Sequence, residues 1–274
     1  MGSITSYQND SRLDSANVFL KDGIDGTKII TANRAAQDMA GMISAVNHRN
    51  TYRGKFLGNS VTDTQKAAIQ NGTFDDLFIG DYWTINANSY AIGDMNYWKR
   101  CGDTEFTANH LLMVPMGVLY NAKMNDEYVT TTGGYVGSDM YKTYLNDAKT
   151  TINAAFGTMV LSHREYFINA VTDGRPSGGA WYDSTVDLMN EIMVYGCNVF
   201  SPMNDGTTIP TNYTIDKQQI ALFRLHPESI NIRATWWLRS VLSSVDFAHI
   251  YEHGGASFFS EDVSYGVRPA FAIG

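Results

Sequence analysis

A chain of 274 residues with 44% hydrophobic and 18% charged side chains has the apolar content to bury a sizeable core, which excludes a disordered tail. Its net charge of −8 argues against binding to nucleic acid or to anionic membrane, both of which need clustered lysines and arginines. No run of about 18 apolar residues is present, and the start MGSITSYQNDSRLDS has no apolar signal-peptide core, so neither a membrane span nor secretion is expected. The 16 Tyr, 13 Phe and 5 Trp suit β-structure and contact surfaces. The two cysteines, Cys101 and Cys197, are too few for a disulfide-stapled scaffold and are expected as reduced, packed thiols.

Residues 1–50 read as an appendage. A polar, Gly-containing arm precedes a helix expected from its cap Thr31, with Ala35, Met39, Met42 and Val46 spaced four, three and four apart. That seam fits either a short coiled coil, most naturally a trimer, or docking onto the following domain. Residues 51–274 read as one domain. In TDTQKAAIQNG, Thr62 and Gln65 form a capping box and Gly72 closes the helix. A pair of strands follows, in which Tyr82 and Thr84 alternate with Trp83 and Ile85, and HLLMVPMGVLY reads as a buried strand interrupted at Pro115.

Ser138 is the expected cap of a helix over 139–157, with Tyr141, Leu145, Ala148, Ile152 and Phe156 on one face and Gly157 as its stop. LSHREYFINAV is expected as a strand or short helix, and TDGRPSGG as a loop. Two more helices are expected, DSTVDLMNEIMVYG capped by Ser184 and TIDKQQIALFRLHP running from Thr214 to Pro227. Helices early and in the middle, with strands around them and at the end, make the fold class α+β.

Several constellations invite an enzymatic reading, and each has a plainer one. His163 and Glu165, two apart, fall on one face of a strand, where a structural hydrogen bond is the simpler expectation than acid–base work. Cys197 has no activating base in any recognisable motif. His249 and His253 have helical metal-ligand spacing but run into Gly254 and Gly255, with no third ligand at fixed spacing. GRPSGG lacks the ending of a phosphate loop. No cofactor, no metal and no catalytic residue is expected.

The last stretch is different. Trp236, Trp237 and Leu238 form an apolar block before Arg239, and GVRPAFAI reads as a closing strand. Between them, residues 240–265 are rich in Ser, His, Tyr, Phe, Asp and Gly and hold no sustained period, a composition like that of antibody paratopes. Composition alone favours an ordinary irregular loop. The frame WWLRS…GVRPAF, however, resembles the C-terminal signature of C-type-lectin-fold variable proteins diversified by retroelements, a class that includes phage tropism determinants. NTYRGKFLG, GTFDDLFIGDYWTI, GGYVGSDMY, SHRE and MVYGCNVFSP are more loosely similar to gut-phage structural proteins ending in such a domain. In that family, errors at adenines of Asn codons reach most residues but not Lys, Gln, Met, Trp or Glu. Residues 240–265 contain no Lys, Gln, Met or Trp, although Met occurs 12 times in the chain; Glu252 and Glu261 depart and must be fixed positions or come from another codon.

The resemblance implies a C-type lectin-like fold with insertions, preceded by the N-terminal arm and helix, with its chain ends near one another in the sheet. The calcium-dependent sugar-binding tripeptides of animal C-type lectins are absent, so calcium chelation does not carry over. Enzymes that generate formylglycine share the fold but use a cysteine in the C-terminal part of the domain, and none follows Cys197. The function implied is a hypervariable receptor-binding protein of a phage tail or virion, made in the bacterial cytoplasm. It would bind a host cell-surface protein or glycan, as a homo-oligomer. The site expected is a solvent-facing patch of Ser240, Leu242, Ser244, Val245, Asp246, His249, Ile250, Tyr251, His253, Ser257, Phe258, Phe259, Ser260, Asp262 and Tyr265. Trp236, Trp237, Leu238, Val267, Pro269 and Phe271 would be the frame, with Val241, Phe247 and Ala248 facing the core and Arg239 and Arg268 partly buried and paired. The alternatives are a structural virion component whose C-terminal loops pack on a neighbouring subunit, display on a bacterial cell surface, and a formylglycine-generating oxidoreductase.

Overall fold

The computed structural model describes residues 47–128, 132–201 and 218–274, and within them the fold is α+β. One seven-stranded sheet runs in the order β1 (Phe56–Gly58), β2 (Tyr82–Ile85), β3 (Asn88–Met95), β4 (Leu111–Pro115), β14 (Pro269–Ile273), β6 (Val160–Leu161), with β9 (Val186–Leu188) also pairing with β14. A five-stranded sheet runs β12 (Ala256–Ser260), β11 (Asp246–Ile250), β10 (Trp236–Val241), β13 (Tyr265–Val267), β5 (Tyr120–Ala122). β7 (His163–Thr172) and β8 (Arg175–Ser184) form a separate hairpin. The helices are α1 (Asp63–Asn71), α2 (Gly134–Gly137), α3 (Leu145–Phe156), α4 (Glu191–Tyr195) and α5 (Ala221–Leu225).

Local chemistry explains the early elements. Gln65 N donates to Thr62 Oγ1 at 3.2 Å and Thr62 N to Gln65 Oε1 at 2.9 Å, so the capping box of α1 satisfies two end donors reciprocally. Gly72 closes the helix at φ 71°, where a Cβ would be strained. β2 buries Trp83 and Ile85 and leaves Tyr82 and Thr84 half-buried, and β4 is buried throughout, Pro115 being its last residue. The start of the domain is pinned by buried carboxylates: Asp81 accepts from Arg53 and from the amides of Lys55 and Phe78, and Asp94 accepts from Arg49 and Ala221 N. The predicted Thr31 cap and the Ala35–Val46 seam lie outside the described residues; His48, just beyond them, stacks on Phe78.

Four expectations are corrected. The helix expected from Ser138 begins with a five-residue π-turn over Met140–Tyr144 before α3. At the seam between that turn and α3 the Tyr120 hydroxyl donates to Tyr144 O and accepts from Ala148 N at 3.2 Å, inserting into the bond those two groups would otherwise share. The helix expected from Ser184 is instead strand β9 followed by the short α4, because Val186 and Leu188 pair with β14 and Asn190, not Ser184, caps the helix. The predicted TDGRPSGG loop is only a tight turn at Asp173 and Gly174, and Pro176, Gly178 and Gly179 lie in edge strand β8. Of the helix expected from Thr214, which lies outside the described residues, to Pro227, only α5 is helical, residues 218–220 are not, and the helix ends just before Pro227 as expected, that proline opening a 3₁₀ turn.

The frame of the C-terminal stretch is core. Trp236, Trp237, Leu238, Val267 and Phe271 are fully buried, and β14 is held by β4 on one side and by β6 and β9 on the other. β1 and β14 share a sheet but are separated by β2, β3 and β4.

Candidate ligand-binding surface

Residues 240–265 fold as a hairpin, not as an aperiodic loop. β11 pairs with β10 on one side and with edge strand β12 on the other, in the register Phe247↔Phe259, His249↔Ser257 and Ile250↔Ala256. The period is lost because β11 is covered on both faces from Phe247 to Ile250, and a strand buried on both sides does not alternate. Both ends of the hairpin are fastened. At the β10–β11 turn, Ser243 Oγ donates to Asp246 Oδ2 at 2.6 Å and accepts from the amides of Val245 and Asp246. At the β11–β12 turn, Tyr251 N donates to Gly255 O, and Tyr195 of α4 donates its hydroxyl to Gly254 O at 2.9 Å.

Opposite residues in an antiparallel pair share a face, which sorts the expected site residues. Ser257, Phe259 and Tyr265 stand on the face that carries Trp237 and His249, and Tyr251 continues it past the end of β11. Phe258 stands on the other face, opposite Ala248, with its ring 5.5 Å from Phe200. The single patch expected is therefore split between two faces. His249 and Ile250 are corrected outright: both are fully buried and neither offers a side chain to solvent. Ser240 is half-buried and accepts from Glu191 N, Leu242 packs against the core, and Ser260 donates to Asp262. Ser244 is exposed, while Val245, Asp246 and Asp262 are half-buried around the turns.

What the first face presents is a run of rings. Centroids are 5.4 Å apart for His253 and Tyr251, 4.9 Å for Tyr251 and His249, 4.9 Å for His249 and Tyr265, and 6.4 Å for Tyr265 and Phe259. Trp237 lies beneath, 4.9 Å from Tyr265, and is fixed by its Nε1 donating to Ala122 O at 3.0 Å. Tyr251 is 39% and Phe259 46% exposed, so rigid aromatic area faces solvent on a buried support. Val199 and Phe200, both exposed beside Phe258, were not singled out in the sequence, where only their spatial neighbourhood marks them.

The remaining candidates resolve structurally. His163 Nε2 and Glu165 Oε2 are 3.3 Å apart and buried, and Arg239 Nη2 donates to Glu165 Oε1 at 2.6 Å. The pair therefore anchors Arg239, whose Nη1 also donates to Leu188 O, and the ion pair expected for that arginine is present. Arg268, 1% exposed against 7% for Arg239, is buried more deeply, yet it is in none of the described ion pairs, contrary to expectation. Cys101 is packed but Cys197 is exposed, which corrects the expectation that both are packed; both are free thiols. Among the described residues there is no group of three or more His, Cys, Asp or Glu placed to hold a metal ion, and no helix long and apolar enough to cross a membrane. Of the two residues that depart from the Asn-codon repertoire, Glu261 is fully buried, with its carbonyl accepting from Met124 N and Asn125 N, whereas Glu252 is exposed. No protein family model, curated protein or solved structure matches this chain significantly.

Proposed function

We propose that the protein is a ligand-binding protein of the diversified C-type-lectin-fold class, which attaches a phage tail or virion to a host surface protein or glycan without catalysis or a cofactor. The observation that carries this reading is the ring run in which exposed Tyr251 and Phe259 flank half-buried Tyr265 on a sheet whose supporting residues are buried. Large rigid rings contribute contact area at little entropic cost, and small polar neighbours such as Ser257 adapt to the partner. The residue usage of 240–265 supports a stretch that varies on a fixed frame, in which the buried Glu261 is a frame position and the exposed Glu252 comes from another codon or is itself fixed. Trimerisation through residues 31–46 would multiply a modest single-site affinity by avidity.

Two measurements test it. Replacing Tyr251 and Phe259 together by Ala is expected to weaken attachment to host cells at least tenfold, as truncating a pair of hot-spot rings does. Phe258→Ala, on the opposite face, is expected to leave attachment within about twofold of the parent, as near-neutral contacts do. Intact particles with lost attachment support the reading, whereas particles that fail to assemble would assign the surface to subunit packing. Sequencing the gene in sibling isolates should show substitutions confined to codons 240–265 and sparing Trp237 and Arg268; changes spread evenly along the chain would sink the idea of a diversified site.

A further inference from the structure

The five-stranded sheet ends at β12, and the outer edge of that strand pairs with no other strand among the described residues. Hydrogen-bond parity identifies the groups that lie on it. Tyr251 N donates to Gly255 O, and opposite pairs in an antiparallel ladder alternate between bonded and unbonded. Two and four residues back along the register, Ser257 and Phe259 therefore turn their N–H and C=O groups towards His249 and Phe247. Ala256, Phe258 and Ser260 turn theirs outward. The other side of β11 agrees: Leu242 N donates to Asp246 O, so Asp246, Ala248 and Ile250 direct their backbone groups at β10. Of the outward groups, Ser260 O is taken by Val263 N at 3.3 Å. Both groups of Ala256 and Phe258 stay open among the described residues.

Open edges are normally blunted by Lys, Pro, a bulge or a covering element. Here β12 reads Ala-Ser-Phe-Phe-Ser, with neither charge nor proline, and its register with β11 runs without a bulge. The surroundings select the strand that fits. Residues 240–265 hold Asp246, Glu252, Glu261 and Asp262 but no Lys or Arg. Glu261 is buried, exposed Glu252 lies in the turn before β12, and half-buried Asp246 and Asp262 flank its far end at Ser260. Antiparallel pairing of two copies about Phe258 would bring Asp262 of one towards Glu252 of the other, a like-charge juxtaposition. Carboxylates at both ends favour instead a strand with basic ends.

We propose that the partner of the attachment surface is a protein, which adds an extended segment with Lys or Arg at its ends to the free edge of β12. The proposal rests on the reading of residues 240–265 as the attachment surface and names its ligand class. The added strand exchanges backbone hydrogen bonds with Ala256 and Phe258, and its alternate side chains fall beside Phe259 and Tyr251 on the ring face. On the opposite face the Phe258 ring leans on Phe200, so residue 258 serves the partner through its backbone. A glycan carries no repeating donor and acceptor at strand spacing and would leave this edge unused.

The test compares two substitutions at one position by attachment to host cells. Phe258→Ala keeps the N–H and is expected within about twofold of the parent. Phe258→Pro removes the outward donor and sets a ring in the partner's path, and is expected to be at least about tenfold weaker. Proline suits an edge strand where its nitrogen faces solvent, so the variant should keep a cooperative thermal transition. Ala256→Pro repeats the contrast at the other open amide, and Glu252→Lys should weaken attachment several-fold with Tm unchanged. Without any variant, shaving host cells with proteinase K should abolish attachment, and periodate oxidation of their glycans should leave it intact. Attachment that survives proteinase K, attachment lost to periodate, or folded proline variants that attach as well as Phe258→Ala would each overturn the proposal. So would an oligomer of the parent that Phe258→Pro dissociates, which would give the edge to a second copy. If Tyr251→Ala with Phe259→Ala loses attachment while the proline variants keep it, the strand addition falls and the attachment surface stands.

Discussion

His249 sits at the centre of the ring run yet contributes no polar contact. It is fully buried, neither ring nitrogen has a partner among the described residues, and burial lowers its pKa to about 4. An unfolded His titrates near 6.5, so the unfolded chain binds the extra proton first, and stability from this residue is lost as pH falls from about 6.5 towards 4. His110, lowered to about 3, acts in the same direction, while Asp187, raised to about 6 by burial, opposes both between about 6 and its unfolded value. His249→Phe keeps the shape and removes two unsatisfied groups. It is expected to raise stability by about 1 kcal/mol and to flatten the fall in Tm between pH 6.5 and 4, checked by thermal denaturation across that range. The sequence placed this histidine in the outward patch because a polar residue in an aperiodic stretch reads as exposed. Its neighbours Phe247 and Ala248 were legible as core, since apolar residues carry their burial with them.

At the scale of elements, irregularities trace to side chains from distant parts of the chain. Where the π-turn passes into α3, Tyr120, more than twenty residues upstream, enters the hydrogen-bond ladder, and burial pushes that phenol up to about 12. Tyr120→Phe would leave Tyr144 O and Ala148 N to re-pair with each other. The expected cost is about 1–3 kcal/mol by urea denaturation if the turn keeps its shape, and less if a regular helix forms. Hairpin β7–β8 is tied to β10 through Glu165 and Arg239, so Glu165→Gln strands a buried cation and should cost about 3 kcal/mol or more in the same assay. Cap chemistry is local, which is why Thr62, Gln65 and Gly72 were readable in advance. The identity of β9 was not: VDLMNEIM satisfies a helical pattern, and only pairing with β14, some eighty residues later, makes it a strand.

Across the whole molecule, both sheets depend on the last forty residues. β10 to β13 make up four of the five strands of one sheet, and β14 lies inside the other with neighbours on both sides. A chain ending at Arg268 therefore exposes the edges of β4, β6 and β9 together. It is expected to show no cooperative thermal transition and to bind a hydrophobic dye, checked beside the full chain. The α+β class and the closing strand were visible in the order and composition of segments, whereas the partition of strands between two sheets was not, because non-local pairing leaves no mark on sequence period.

The interior position of β14 has a further consequence in the order of synthesis. The strand that completes the larger sheet is translated after codons 240–265, so the domain cannot close until the ribosome has passed through that stretch and stayed in frame across β14. A frameshift or stop introduced in that stretch yields a chain with open sheet edges, a substrate for proteolysis instead of assembly. Only reading frames that survive intact through the hairpin reach the folded state, which makes folding itself a proofreading step on whatever sequence the hairpin carries.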